Sequence, residues 1–340
     1  MADRVLLTGI SGFAGGHIAL ALLRAGFAVR GSLRDPARAA GVRETLARHG
    51  ADLARLELVT LDLLRDEGWR EAAEGCRYLQ HVASPLAIRM PKNRDDLIRP
   101  AVEGTRRALE AALAAGVARV VLTSSAAAIV YGHPYGRAEP FTEADWSRTD
   151  GEGISAYTES KTRAELEAWS IMEAVGRRDD LAVINPTVIL GPLLDADAGA
   201  SAVMVKRLLD GSAPAAPRFC FGIVDIRDVA ALHLNAMLSP RAGGRRFLAS
   251  AATLSVMDLA RALRPRFPSH AGKIPRLELP DWMARLYALF DRDMRDNLGS
   301  LGVARPIDAS RALGLLGRPF IAPADAAAAT ARSLIDMALA

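Results

Sequence analysis

A doubly wound parallel α/β fold follows from three features of the sequence. The apolar run Val5-Leu6-Leu7, which has no polar alternation, enters a glycine-rich turn that opens a helical pattern. Short apolar runs then alternate with amphipathic helical segments as far as residue 185. Tyr157 and Lys161 stand four apart on one such segment, so a helix would project both from the same face.

The first unit sets the pattern for the rest. An apolar run without alternation suits a strand buried on both faces of a parallel sheet. It leads through Thr8, Gly9, Ile10, Ser11, Gly12, Phe13, Ala14 and Gly15 into a helix carrying Ile18, Leu20, Leu22 and Leu23 and closed by Gly26. Glycines at 9, 12 and 15 free the turn, admit a pyrophosphate close to the backbone and let the helix pack near the strand, its N-terminus toward the phosphates. Thr8, Gly9, Ser11, Gly12, Phe13, Ala14 and Gly15 are therefore candidate dinucleotide-binding residues.

Further strands are expected at 28–33, 56–61, 78–82, 119–124 and 181–185, and helices at 38–49, 66–74, 95–115 and 156–175, with Gly50 and Gly116 as stops. This strand–helix alternation predicts a Rossmann-type sheet over 1–192. The loops at 125–155 and after Pro192 interrupt it and are the expected substrate-binding segments.

The end of the second strand bears on the choice of cofactor. NAD is met there by an acidic side chain on the ribose hydroxyls. Here Leu33 is followed by Arg34, with Arg38 one helical turn on, and a guanidinium fork suits a phosphate; NADP(H) is expected. Asp35, ahead of Pro36, reads equally well as a turn or helix cap. His81-Val82-Ala83-Ser84-Pro85 and Thr123-Ser124-Ser125-Ala126 follow expected strands, where ligands bind in open α/β sheets.

Tyr157 must lose about 3 pK units, about 4 kcal/mol, to exchange protons readily at neutral pH. An ammonium about 4 Å away at an effective dielectric near 20 supplies roughly that much. Lys161 is placed to do so.

Beyond Pro192 helices dominate, at 201–209, 229–238, 254–263, 280–290 and 324–340, with strand candidates at 221–226 and 246–249. A smaller, mainly helical substrate lobe is expected over 193–340, with about 221–250 returning to the main sheet. Asp228 is positioned to cap the helix from Val229. Met204, Phe219 and Phe221 are candidate pocket walls, and the stripe Trp282, Leu286, Tyr287 and Phe290 reads as lobe packing.

Composition narrows the function classes. Of 340 residues, 43 are Lys or Arg and 39 Asp or Glu, spread without a basic tract, which gives nucleic-acid binding little support. Cys76 and Cys220 show no ligand spacing, are too few for a disulfide framework, and read as buried small hydrophobes. Neither a signal segment nor a membrane span is apparent, and the histidines are scattered, so a cytoplasmic protein without a metal is expected.

Together, the glycine turn, a serine after strand five and Tyr-x-x-x-Lys resemble the extended short-chain dehydrogenase/reductases. Arg34-Asp35-Pro36, Asp62-Leu63, His81 to Pro85, Val102-Glu103-Gly104-Thr105, Thr123-Ser124-Ser125 and Pro186 to Pro192 are similar to the dihydroflavonol 4-reductase and cinnamoyl-CoA reductase branch, which also has microbial aldehyde and ketone reductases. The likeness runs from about Val5 to Ser250. It implies that Ser125 binds the substrate carbonyl, that Tyr157 donates the proton, and that Lys161 lowers the phenol's pKa and holds the nicotinamide ribose. It also implies Asp62 and Leu63 around adenine, Val82, Ala83 and Ser84 along the cofactor, Pro186, Thr187, Val188 and Ile189 beside nicotinamide, and Ser201 on phosphate.

Two departures separate the chain from the plant enzymes. Val130 stands where flavonoid reductases carry a substrate-binding asparagine, and Gly151 to Ser155 replaces the Asn-Trp-Tyr-Cys-Tyr signature of cinnamoyl-CoA reductases. The leading expectation is an NADPH-dependent carbonyl reductase acting on an aldehyde or ketone as a monomer or homodimer. A nucleotide-sugar epimerase or dehydratase retaining NAD and a non-catalytic dinucleotide-binding protein are the alternatives.

Overall fold

The structure, a computed structural model, describes residues 2–85, 93–134, 136–151, 154–197 and 199–340. In chain order its first strands are β1 (Arg4–Thr8), β2 (Ala28–Leu33), β3 (Leu56–Thr60), β4 (Tyr78–His81), β5 (Arg119–Thr123) and β6 (Leu181–Pro186). They are followed by β7 (Val188–Leu190), β8 (Ala216–Pro217), β9 (Cys220–Asp225), β10 (Arg245–Ala249), β11 (Ala252–Ser255) and β12 (Glu278–Leu279). The helices are α1 (Phe13–Arg24), α2 (Ala39–Arg48), α3 (Trp69–Ala73), α4 (Asp95–Ala114), α5 (Ala156–Ala174) and α6 (Gly199–Asp210). Then come α7 (Ile226–Leu238), α8 (Val256–Leu263), α9 (Asp281–Tyr287), α10 (Arg292–Asn297), α11 (Ser310–Leu316) and α12 (Pro323–Asp336).

The main sheet is parallel throughout, in the order β10-β6-β5-β4-β1-β2-β3. β1 shows why its sequence lacks alternation. Val5 and Leu7 belong to the core under α1 and α7, Leu6 to the opposite core under α3, α4 and α5, and all three are fully buried. Each face of the sheet is covered, so both sets of alternating side chains must be apolar. The expected doubly wound fold is present, and most of its elements fall within a residue or two of their expected bounds.

The chain after β6 divides between two structures. β7, β9 and β11 make a separate sheet that packs with α6, α8 and α12 around a second core. α7 returns to pack on α1, β10 joins β6, and α11 covers both.

Several local expectations are corrected. The helix expected at 66–74 shortens to α3, because Gly68 takes a left-handed φ of 83° and Trp69 Nε1 donates to the Asp62 and Arg65 carbonyls. Leu254 and Ser255, expected to open a helix, instead end β11, and Ser255 and Asp258 then cap α8 reciprocally. Asp225, not Asp228, caps α7 by accepting from Arg227 N. Asp228 lies fully buried within α7, where its carboxylate accepts from Ile321 N at 2.7 Å and pairs with Arg318. Trp282, Leu286, Tyr287 and Phe290 are exposed rather than packed, because α9 turns this stripe toward the mouth of the large cleft. Cys76 is buried, whereas Cys220 is half-buried on the cleft wall.

Candidate active site

A cleft of about 2110 Å³ runs along the C-terminal ends of the main-sheet strands, from Arg34 and Asp62 at one end to Trp282 at the other. This exceeds the roughly 300–1,000 Å³ of a small-molecule pocket and suits an elongated ligand with a second one beside it.

The glycine turn builds the phosphate end. Gly9 sits at φ +74°, Gly12 N donates to Gly9 O at 3.0 Å, and a Cβ on Gly15 would stand 2.0 Å from Gly9 O. Only glycine at 15 lets α1 start this close to β1. Gly12, the N-cap of α1, brings no capping side chain, and the first turn holds no acidic residue. Its backbone N–H groups remain for an anion. Gly9, Ser11, Gly12, Phe13, Ala14 and Gly15 line the cleft, and this uncapped cradle fits a dinucleotide pyrophosphate.

Thr8 does not reach the cleft. Fully buried, its hydroxyl accepts from Val82 N and Ala83 N at 3.0 Å each, leaving its one proton for His81 Nδ1 at 2.9 Å. It braces the loop after β4. Val82, Ala83 and Ser84 of that loop line the cleft, as do Asp62 and Leu63 after β3. Pro186, Thr187, Val188 and Ile189 form the wall after β6, and Ser201 enters from the first turn of α6.

Arg34 and Arg38 both line the end of the cleft beside β2, in different states. Arg34 is exposed, whereas Arg38 Nη2 is engaged by Asp197 at 2.8 Å and by Ser11 O at 3.3 Å. Asp35 caps the turn at Pro36–Arg38, accepting from Ala37 N.

Ser125 follows β5, and Tyr157 and Lys161 lie in the first two turns of α5, which Ser155 caps by accepting from Thr158 N at 3.1 Å. All three line the cleft, with Val130 beside them. Burial pushes the Tyr157 phenol up, the Ser125 hydroxyl pulls it down through a hydrogen bond, and Tyr131 adds to the rise. Lys161 Nζ donates to the Thr123 carbonyl at 3.5 Å. Lys161 itself is brought down to about 8 by burial, against the opposing pull of Glu165.

Three further residues, Glu165, Asn185 and Arg246, escaped the sequence reading; with Ser124 they form a buried polar cluster behind the serine turn. Glu165 had a signal, since it follows Lys161 by one helical turn. Arg246 had none, because nothing local marks a strand arginine as facing inward.

The model for the NAD dependent epimerase/dehydratase family matches residues 5–248. The chain belongs to that family. This agrees with the extended short-chain dehydrogenase/reductase motifs. Among similar members is cinnamoyl-CoA reductase 1 of Oryza sativa subsp. japonica, 35% identical over 298 residues, which are 86% of this chain and 84% of the relative. A ketoreductase of Aspergillus niger is 33% identical over 300 residues, 83% of this chain and 87% of the relative. Among solved structures, the yeast methylglyoxal/isovaleraldehyde reductase complexed with NADPH superposes with a TM-score of 0.81 at 25% identity, covering 99% of this chain and 100% of that one. Among the described residues no group of three or more His, Cys, Asp or Glu side chains is placed to hold a metal, and no helix is long and apolar enough to cross a membrane.

Proposed function

We propose that this family member is an NADPH-dependent carbonyl reductase that interconverts an aldehyde or ketone and its alcohol. The observation that carries the reading is that Tyr157, hydrogen-bonded to Ser125, opens onto the same cleft as the uncapped glycine turn and Arg34. Relatives named as reductases and an NADPH complex among the similar folds support it. The residues from Gly9 to Gly15 would hold the pyrophosphate, Arg34 the adenosine phosphate and Lys161 the nicotinamide ribose. Residues 193–340 would supply most of the substrate wall.

Bound NADPH supplies hydride to the carbonyl carbon. Ser125 Oγ donates a hydrogen bond to the carbonyl oxygen and orients it against Tyr157. The phenol, kept protonated by burial, gives its proton to that oxygen as the alcohol forms. Lys161, brought to about 8, is matched to proton return near neutral pH. Val130, where flavonoid reductases carry an asparagine, and the apolar stripe on α9 make part of the outer pocket wall apolar.

A panel of aldehydes, α-keto esters and aryl ketones followed by NADPH absorbance tests the reading. Tyr157→Phe should lower kcat by about 1,000-fold or more while leaving the NADPH Kd within about threefold. A Tyr157→Phe enzyme that keeps most of its turnover removes the proposed mechanism. The family description also covers epimerases and dehydratases, and a protein that purifies with NAD bound and oxidises no NADPH would favour those.

A further inference from the structure

The reaction assigned above needs the Ser125 hydroxyl and the Tyr157 phenol held against one another, yet they lie on different elements, the turn after β5 and the helix α5. Glu165 lies two turns beyond Tyr157 on α5, fully buried. Its Oε2 accepts from Ser124 Oγ at 2.6 Å and from Asn185 Nδ2 at 2.7 Å. The same Asn185 amide donates to the Ser125 carbonyl at 3.2 Å. Oε1 accepts from Arg246 Nε at 2.5 Å and from Trp169 Nε1 at 3.3 Å. One carboxylate thus fastens the serine turn to the helix that carries Tyr157 and Lys161.

Arg246 completes the clamp from the far edge of the sheet. Its Nη1 donates to the Glu143 and Asp145 carbonyls at 2.9 and 2.6 Å, its Nη2 reaches Ala128 O at 3.5 Å, and its guanidinium lies 3.8 Å from the centre of the Trp146 ring. Ala128 ends the short turn that starts after Ser125, so that turn is gripped at both ends. A buried ion pair of this kind offers little net stability, because desolvation consumes most of its attraction. What it offers is a fixed geometry, since every partner has a direction as well as a distance.

We propose that Glu165, supported by Arg246, is a positioning residue for the reductase: it holds Ser125 in register with Tyr157 by fastening Ser124 and Asn185 to α5. The assignment rests on the reductase reading for its kinetic consequence, whereas the mechanical claim stands on the cluster alone. Glu165 does not line the cleft and touches no reacting atom; apart from its pull on Lys161 it acts through Ser124, Asn185 and Arg246.

The test uses the full chain with Glu165→Gln and, because that variant exchanges a buried charge, also Ser124→Ala, which removes a single hydroxyl. Reduction of ethyl benzoylformate by NADPH should lose about tenfold or more in kcat in both variants, with KM and the NADPH Kd within about threefold of wild type. Amide hydrogen exchange of peptides spanning 124–130 in the cofactor-free protein should accelerate by about tenfold, while peptides of β1 and β2 stay unchanged. If kcat stays within about twofold in both variants, or if the loss lies in KM or Kd, the positioning role is overturned. Should Glu165→Gln not fold, Ser124→Ala decides by the same criteria. Should the wild-type enzyme reduce no carbonyl compound, the reductase reading fails by itself, and exchange at 124–130 that is unaltered in both variants overturns the clamp separately.

Discussion

At the scale of single residues, cofactor preference turns on a contrast between two arginines. Arg38 already spends its charge on Asp197 and on the Ser11 carbonyl, whereas Arg34 stands exposed at the end of β2. A phosphate on the adenosine ribose would gain more from the arginine that gives up less to meet it. Arg34→Ala should therefore raise the Kd for NADPH about 10- to 100-fold, matching about 1.5–3 kcal/mol for a charge-assisted hydrogen bond, and leave NADH binding nearly unchanged. Cofactor fluorescence titrations with both nucleotides measure this, and an unaltered NADPH/NADH ratio would remove Arg34 from the phosphate site. The residue scale also shows what the sequence could not tell. Gly9, Gly12 and Gly15 announce their turn because only backbone freedom and lack of a Cβ are at stake, both properties of the residues themselves. The protonation of Tyr157 depends on burial and on where Lys161 reaches, and an i, i+4 spacing fixes neither.

At the scale of elements, Asp228 shows how a buried group links distant parts of the chain. It sits in α7 against the main sheet, yet accepts from Ile321 N in the segment that leads from α11 to α12. Phe320, in that segment, packs on the core under α1 and α7. Asp228→Ala would leave a backbone N–H without its acceptor and Arg318 without its ion pair. A loss of about 2–4 kcal/mol is expected, the lower part from the unpaired N–H and the rest from the space left behind. Asp228→Asn, which still accepts from Ile321, should lose less than half as much. Urea unfolding of the two variants measures the difference, and equal losses would show that the hydrogen bond to Ile321 is unimportant. The sequence marked this aspartate as structural but assigned it the wrong partner, because a cap is a local inference and residue 321 is far away in sequence. The same limit applies to α9. Its apolar stripe has helical spacing, and spacing cannot say whether the face meets a core or an open cleft. Strands β1, β5 and β6 were readable because burial on both faces writes itself directly into the apolar runs at 5–7, 120–122 and 181–184.

At the scale of the whole molecule, three buried histidines tie stability to pH. Burial brings His17 down to about 4 despite its hydrogen bond to the Pro192 carbonyl, and brings both His81 and His233 down to about 3. Their contacts agree with neutral rings. His81 Nδ1 takes the Thr8 proton, and His233 Nδ1 meets Gln80 Oε1 at 2.7 Å while its Nε2 meets Thr123 Oγ1 at 3.1 Å. In the unfolded chain each would titrate at the ordinary value of 6.5, so below that pH the unfolded state binds up to three more protons than the native one. Stability therefore falls as pH drops, beginning near 6.5 and continuing until the native rings themselves protonate at about 4 and 3. Each proton is worth about 1.4 kcal/mol per pH unit, so the three together remove about 4 kcal/mol per unit once the unfolded rings are charged. Against a typical total of about 5–15 kcal/mol, that is enough to unfold a domain within a few pH units. The carboxylates held low by partners act in the same direction but later: Asp210, at about 2 because burial is outweighed by the combined pull of Lys206 and Ser212, loses its contribution only below its ordinary value of 3.8. The window from about pH 4 to 6.5 thus belongs to the histidines. Urea unfolding at pH 7, 6 and 5 should give a slope approaching three protons between the lower two points, and His17→Gln, which can still donate to Pro192, should reduce it by one. A slope below one proton would mean that these rings are not held neutral.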